Sequence, residues 1–249
     1  MKTRLLFSKA NLMCIAIVSL TLFSGCQQVT ELSGDDSAPD EIMKNAGLIH
    51  NEMISYYYMN RKLEDAMPEQ LVSELLELSG EYLDKNGYDP AETKERISQV
   101  REKLGSSPLK SGSAGCFSIN EDSFLTQISE TQLYSDHFIN ELGKILALAE
   151  ETNDREQVKE YVNSTFYSIQ FTTGNDLDGQ QLFSSIFNGS YEFWESYEEG
   201  NLKAKTIKGS TWVIINDGIG GVLGSIFGPI GSIVTATVFS AATNEEVNS

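Results

Sequence analysis

The stretch TWVIINDGIGGVLGSIFGPIGSIVTATVFSAA, Thr211 to Ala242, carries a single charge, Asp217, and from Gly218 onward runs 25 residues without any. In helical register Gly220, Gly224, Gly228, Ser232, Ala236 and Ser240 fall at every fourth position. One face is therefore small along its length and lets another helix, or a membrane partner, approach the backbone closely. The other sides carry Ile219, Val222, Leu223, Ile226, Phe227, Ile230, Ile233, Val234, Val238 and Phe239, so the segment is apolar nearly all round. Such a helix has to be buried in something. One home is a bilayer: at ~1.5 Å per residue the uncharged run reaches ~37 Å, against a hydrocarbon core of ~30 Å. Lys203, Lys205 and Lys208 would then lie just before the span, at the headgroups. Gly228-Pro229 opposes a simple span, because it sits mid-segment and kinks or breaks a helix. The other home is the centre of a bundle, as one helix or as a helix–Gly-Pro–helix hairpin, wrapped by the amphipathic helices that precede it.

Those helices are legible from periodicity and caps. Ile42, Ala46, Ile49, Met53, Tyr56 and Leu63 alternate at four- and three-residue steps and predict a helix from Asp40 to Ala66, interrupted by Asn60. Pro68 suits the first position of a second helix whose stripe is Leu71, Leu75, Leu78 and Tyr82, stopped by Asn86-Gly87. Asp89-Pro90-Ala91-Glu92 combines a cap, a first-turn proline and a capping-box acid, opening a third helix that buries Ile97, Val100 and Leu104. The Ser/Gly-rich stretch 105–118 reads as a loop and a possible sub-boundary. A helix from Glu121 to Glu151 follows, with Leu125, Ile128, Phe138, Leu142, Ile145 and Leu148 inside. Asn153 with Glu156 resembles a capping box for a helix burying Val158, Tyr161, Val162, Phe166 and Ile169, broken at Thr172-Thr173-Gly174. Asp178 then caps the most aromatic helix, through Leu182, Ile186, Phe193 and Tyr197 to Gly200, with Phe183, Phe187 and Trp194 alongside. No convincing β alternation appears. The predicted fold is all-α: a bundle of about six or seven helices with the Gly-rich segment, 211–242, at its centre.

The front of the chain reads as an address. Residues 1–25 hold Lys2, Arg4 and Lys9 and no acid, then an apolar run from Leu12 to Phe23, too short to span a bilayer. Leu22-Phe23-Ser24-Gly25-Cys26 resembles the lipobox of bacterial lipoproteins, which implies cleavage before Cys26 and lipid attachment to it, hence a membrane partner through that lipid. Phe23 departs from the Leu most common there. Residues 26–39 are poor in apolar side chains and read as a tether ahead of the helical domain, 40–249. Gln27 resembles the outer-membrane sorting signal, and Asp36-Ser37-Ala38 a short bacterial O-glycosylation acceptor at Ser37.

Beyond residue 25 there are 15 basic against 36 acidic residues, which excludes nucleic acid as a partner, since phosphate binding needs Lys/Arg clusters. Cys14 leaves with the signal and Cys26 is acylated, so Cys116 is the one remaining thiol and no internal disulfide can form. As a nucleophile Cys116 needs a base, and His137 and His50 are the only histidines. Nothing in the spacing brings either to it. The same scarcity argues against zinc, and Asn175-Asp176-Leu177-Asp178-Gly179 echoes a calcium loop without its later Glu. No metal, cofactor or catalytic residue is predicted. Asp217 to Gly231 is similar to glycine-zipper stretches of membrane-active bacterial peptides and bacteriocin-like proteins, a resemblance that implies membrane activity. The expected function is a non-enzymatic cell-envelope lipoprotein that binds an unknown protein or small ligand. The alternative is a membrane-active protein using Gly218–Ala242.

Overall fold

A computed structural model describes residues 38–62, 68–106, 121–152, 154–200 and 207–248. Cys26, Ser37 and Cys116, with the signal and most of the tether, lie outside the described residues. The elements in chain order are α1 (Ala38–Lys44), α2 (Ala46–Asn60), α3 (Pro68–Lys85), α4 (Pro90–Ser106), α5 (Glu121–Glu130), α6 (Asp136–Glu151), α7 (Arg155–Glu160), α8 (Gly174–Gly200), α9 (Ile207–Gly224) and α10 (Gly228–Asn248). A π turn, Tyr161–Phe166, extends α7, and a 3-10 turn, Ser225–Phe227, joins α9 to α10. No strand occurs among the described residues, so the all-α reading holds.

The glycine-rich segment is a hairpin at the centre. Its arms of 18 and 21 residues are ~27 and ~31 Å long, and from Val213 to Gly224 and Ile230 to Thr243 every residue is buried. Within Thr211–Asn244 an 18-residue stretch with mean hydropathy 1.8 is apolar enough to cross a membrane, yet most of it is buried inside the protein. The break falls at Gly228, whose φ of +77° only glycine adopts without strain, and Pro229 fits the first turn of α10, where a missing N–H costs little.

The jacket helices form where caps and stripes predict. In α3, Leu71, Leu75, Leu78 and Tyr82 are all buried. The helix ends in a Schellman turn: Tyr88 N–H donates to Leu83 O at 3.2 Å and Gly87 N–H to Asp84 O at 3.3 Å, with Gly87 at φ +80°. Asp89 Oδ1 accepts from Glu92 N–H at 2.7 Å and starts α4. The rings of α8 belong to the core: Phe183, Phe187, Tyr191 and Trp194 are buried, and Phe166, Phe171 and Phe138 continue the array with centroids 5.2–6.1 Å apart.

Four boundaries differ from the sequence reading, each for a local polar reason. The expected helix 40–66 is cut at Asn45, whose amide donates back to Glu41 O at 3.0 Å. It ends at Asn60. The expected helix 121–151 is cut at residues 131–135, where Gln132 takes a left-handed φ of +56° and Ser135 caps α6 by accepting from Phe138 N–H. Asp154, accepting from Glu156 N–H at 3.0 Å, caps α7 in place of Asn153, which lies outside the described residues. Thr173, not Asp178, caps α8: its Oγ1 accepts from Asp176 N–H at 3.1 Å, which puts Asp178 inside the second turn.

Candidate functional site

The small-residue ladder does not form one continuous face, because the hairpin folds it onto itself. A Cβ on Gly220 would sit 3.1 Å from Ala236 Cα, and one on Gly224 would sit 2.4 Å from Gly231 O, so these positions set the spacing between the arms. Gly228 makes the turn instead, and Ser232 donates to Gly228 O within its own helix. Two glycines outside the ladder serve α8: Gly218 leaves room for the Phe183 ring and Gly221 for Ile186 Cδ1.

Ser240, the last rung, belongs to a buried polar cluster that the periodicity did not reveal. Asp217 on α9 is fully buried, and its Oδ2 accepts from Ser240 Oγ at 2.9 Å and from Ser190 Oγ of α8. His50 of α2, also fully buried, brings Nε2 to 3.7 Å from the same oxygen. Asn51 fixes the imidazole: its Nδ2 donates to Gly189 O at 2.8 Å, which turns Oδ1 to accept from His50 Nδ1 at 3.1 Å. In the neutral ring the Nδ1 proton is thus assigned, and a bare Nε2 faces a carboxylate oxygen. One further proton is needed between two acceptors. Burial pushes the Asp217 carboxyl well above its usual range and the His50 imidazole down to about 4, which puts that proton on the carboxyl and leaves the pair without net charge. The single charge of the apolar segment is thereby neutralised inside the core.

Ser190, His50 and Asp217 name a nucleophile, a base and an acid, but the order is unlike a hydrolytic triad. Both Ser190 and His50 converge on Asp217, and Ser190 Oγ donates to the carboxyl group rather than to the imidazole. All three side chains are shut off from solvent. The arrangement is suited to clamping α2, α8, α9 and α10 together. It also makes a prediction about acid. A folded-state His50 value near 4, against about 6.5 in the unfolded chain, means that stability is complete above about pH 6.5 and is lost as pH falls toward 4. His50→Gln, which cannot titrate, should lose roughly 3 kcal/mol less than the parent between about pH 7 and about pH 4, measured by urea unfolding.

The remaining sequence candidates scatter. His137 is exposed on α6, with Nδ1 3.8 Å from Glu141 Oε1 and its ring against Phe171. Among the described residues no group of three or more His, Cys, Asp or Glu is placed to hold a metal ion. A half-open cleft of about 430 Å³ lies at the hairpin turn, between Asp40 and Met43 of α1, Asp178 and Leu182 of α8, and Ser225, Ile226, Gly228 and Pro229, with Leu133, Tyr134 and Asn175 at its side. Sequence reading missed it because its residues come from four separate segments. Compared with protein-family models, with curated proteins and with solved structures, the chain matches none.

Proposed function

We propose that the chain is a non-enzymatic cell-envelope lipoprotein, anchored through Cys26 and sorted to the outer membrane, whose helical domain acts as a binding module. The observation that supports it is the covered hairpin: a segment apolar enough for a bilayer is enclosed by its own jacket, and its one carboxyl group is matched internally by Ser190, Ser240 and His50. A domain built this way needs no membrane for its core, and the lipid on Cys26 supplies the attachment. The acidic surface, a consequence of the charge balance, keeps it from anionic lipid and nucleic acid.

Two measurements test the reading. Metabolic labelling with a palmitate analogue should mark the parent and not Cys26→Ala, which should also leave the membrane fraction; unchanged labelling would overturn the anchor. Limited proteolysis of purified protein starting after Cys26, in the absence of detergent, should spare Gly218–Ala242. Rapid cleavage there, together with leakage of liposomes that requires the same segment, would replace this reading with the membrane-active one.

A further inference from the structure

The cleft at the hairpin turn has an unusual balance of polar groups. Ser225 Oγ donates to Val222 O at 2.7 Å, so its contact with Tyr134 is received from the phenol O–H. The lone pairs of the Tyr134 oxygen are left for the cleft. Asn175 gives one of its two Nδ2–H donors to Leu133 O at 3.0 Å. The Asp40 and Asp178 carboxyl groups complete the set, and no Lys, Arg or His is among the lining residues. The cleft thus carries two carboxyl groups and the Tyr134 oxygen as acceptors, with no cation among its lining residues to match. The Asp178 carboxyl is raised from its usual value first by partial burial and then by the charge of Asp40. The opposite wall is hydrocarbon: Met43, Leu182, Ile226 and Pro229.

We propose that this cleft binds a small organic ammonium ion with an apolar body, its nitrogen between Asp40 and Asp178 and its hydrocarbon on Met43, Leu182, Ile226 and Pro229. The inference rests on the binding-module reading and supplies its ligand class. An ammonium offers donors to these acceptors and places a positive charge beside the two carboxyl groups. The volume falls in the range of small-molecule sites, about 300–1,000 Å³. A metal ion fits less well, since two carboxylates are few for calcium, which takes about six to eight oxygens, and a bare ion leaves the apolar wall unused.

The experiment is calorimetric titration of the purified protein with phenethylammonium and hexylammonium, beside phenethyl alcohol, tetramethylammonium and calcium. One saturable site with Kd below ~1 mM is expected for the two amphipathic ammonium ions. Binding at least ~10-fold weaker is expected for the neutral alcohol, for tetramethylammonium and for Asp40→Asn/Asp178→Asn. Both acids are solvent-exposed, so the double variant should keep the parent's circular dichroism and melting temperature. Equal binding of the alcohol, tighter binding of calcium, or no saturable binding of any ammonium ion overturns the proposal, and the alcohol comparison needs no variant. A null titration with Gly218–Ala242 still protected from protease removes the cleft alone. Loss of that protection removes the module reading.

Discussion

Gly47→Ala should lower the unfolding free energy by about 3 kcal/mol or more, and Gly47→Val should prevent folding. The cause is a contact between backbones. A Cβ on Gly47 would lie 2.1 Å from Ser185 O and 2.9 Å from its carbonyl carbon, and neither atom can swing aside as a side-chain tip can. The reciprocal position behaves alike: a Cβ on Gly189 would lie 2.8 Å from Gly47 Cα. The chain approaches this closely because α1 and α2 part at Asn45. The first N–H groups of α2 then lack partners in their own helix, and Ser185 Oγ accepts from Gly47 N–H at 3.1 Å while donating to Lys44 O at 3.3 Å. Alanine would push the helices apart and open that bridge. Gly174→Ala is the control, because nothing lies within 4 Å of its Cβ position and its φ is not positive. It should be neutral or raise stability by up to about 1 kcal/mol. Urea unfolding followed by circular dichroism reads all three variants.

Asp217 gives the second large effect, and its two replacements should separate. Asp217→Ala removes the acceptor shared by Ser190 and Ser240 and leaves a void, with an expected loss of about 3 kcal/mol or more. Asp217→Asn keeps a carbonyl oxygen and the volume, so its loss near neutral pH should stay within about 1 kcal/mol. Its pH profile is the sharper readout. Because burial raises the folded-state value of Asp217, the parent is fully stable with respect to this group below the ordinary carboxylate range, and loses stability as pH rises from there toward the raised value. The asparagine variant has no such limb and should gain on the parent as pH rises above the ordinary carboxylate range. Parallel profiles would mean that Asp217 is charged alike in both states.

The fold was legible where one residue type answers one geometric need. Pro68, Asp89-Pro90 and Asn86-Gly87 mark helix ends that the backbone itself requires, and the heptad-like stripe of α3 has a single way to face inward. The hairpin was legible as an alternative, since Gly228-Pro229 supplies both the left-handed turn and the first residue of the returning helix. What stayed hidden depends on partners remote in sequence. Asn45 and Gln132 resemble ordinary helix residues until Ser185 and Asp176 take the backbone groups their breaks release, Asp176 Oδ1 accepting from Ser135 N–H at 2.9 Å. Asp217 stood out as the one charge in an apolar run, but its matching groups come from α2, α8 and α10, and no spacing along the chain joins them. The cleft was hidden for the same reason.

The place of α2 bears on how the chain acquires its structure. Besides its pairing with α3, the helix holds residues far along the sequence: Gly47 with Ser185, Met53 with Thr237, whose hydroxyl lies 3.3 Å from the sulfur, and Tyr58 with Asn244, whose amide donates to the phenol at 2.7 Å. These separations reach 186 residues, so a large loop-closure entropy falls on α2. A chain emerging from the ribosome can pair α2 early with α3, through Glu52 with Tyr82 and Tyr56 with Glu81, but lacks its partners on α8 and α10 until those helices have been made. Synthesis or export halted before α10 leaves the side of α2 that carries Met53 without its cover, and open to proteases and chaperones.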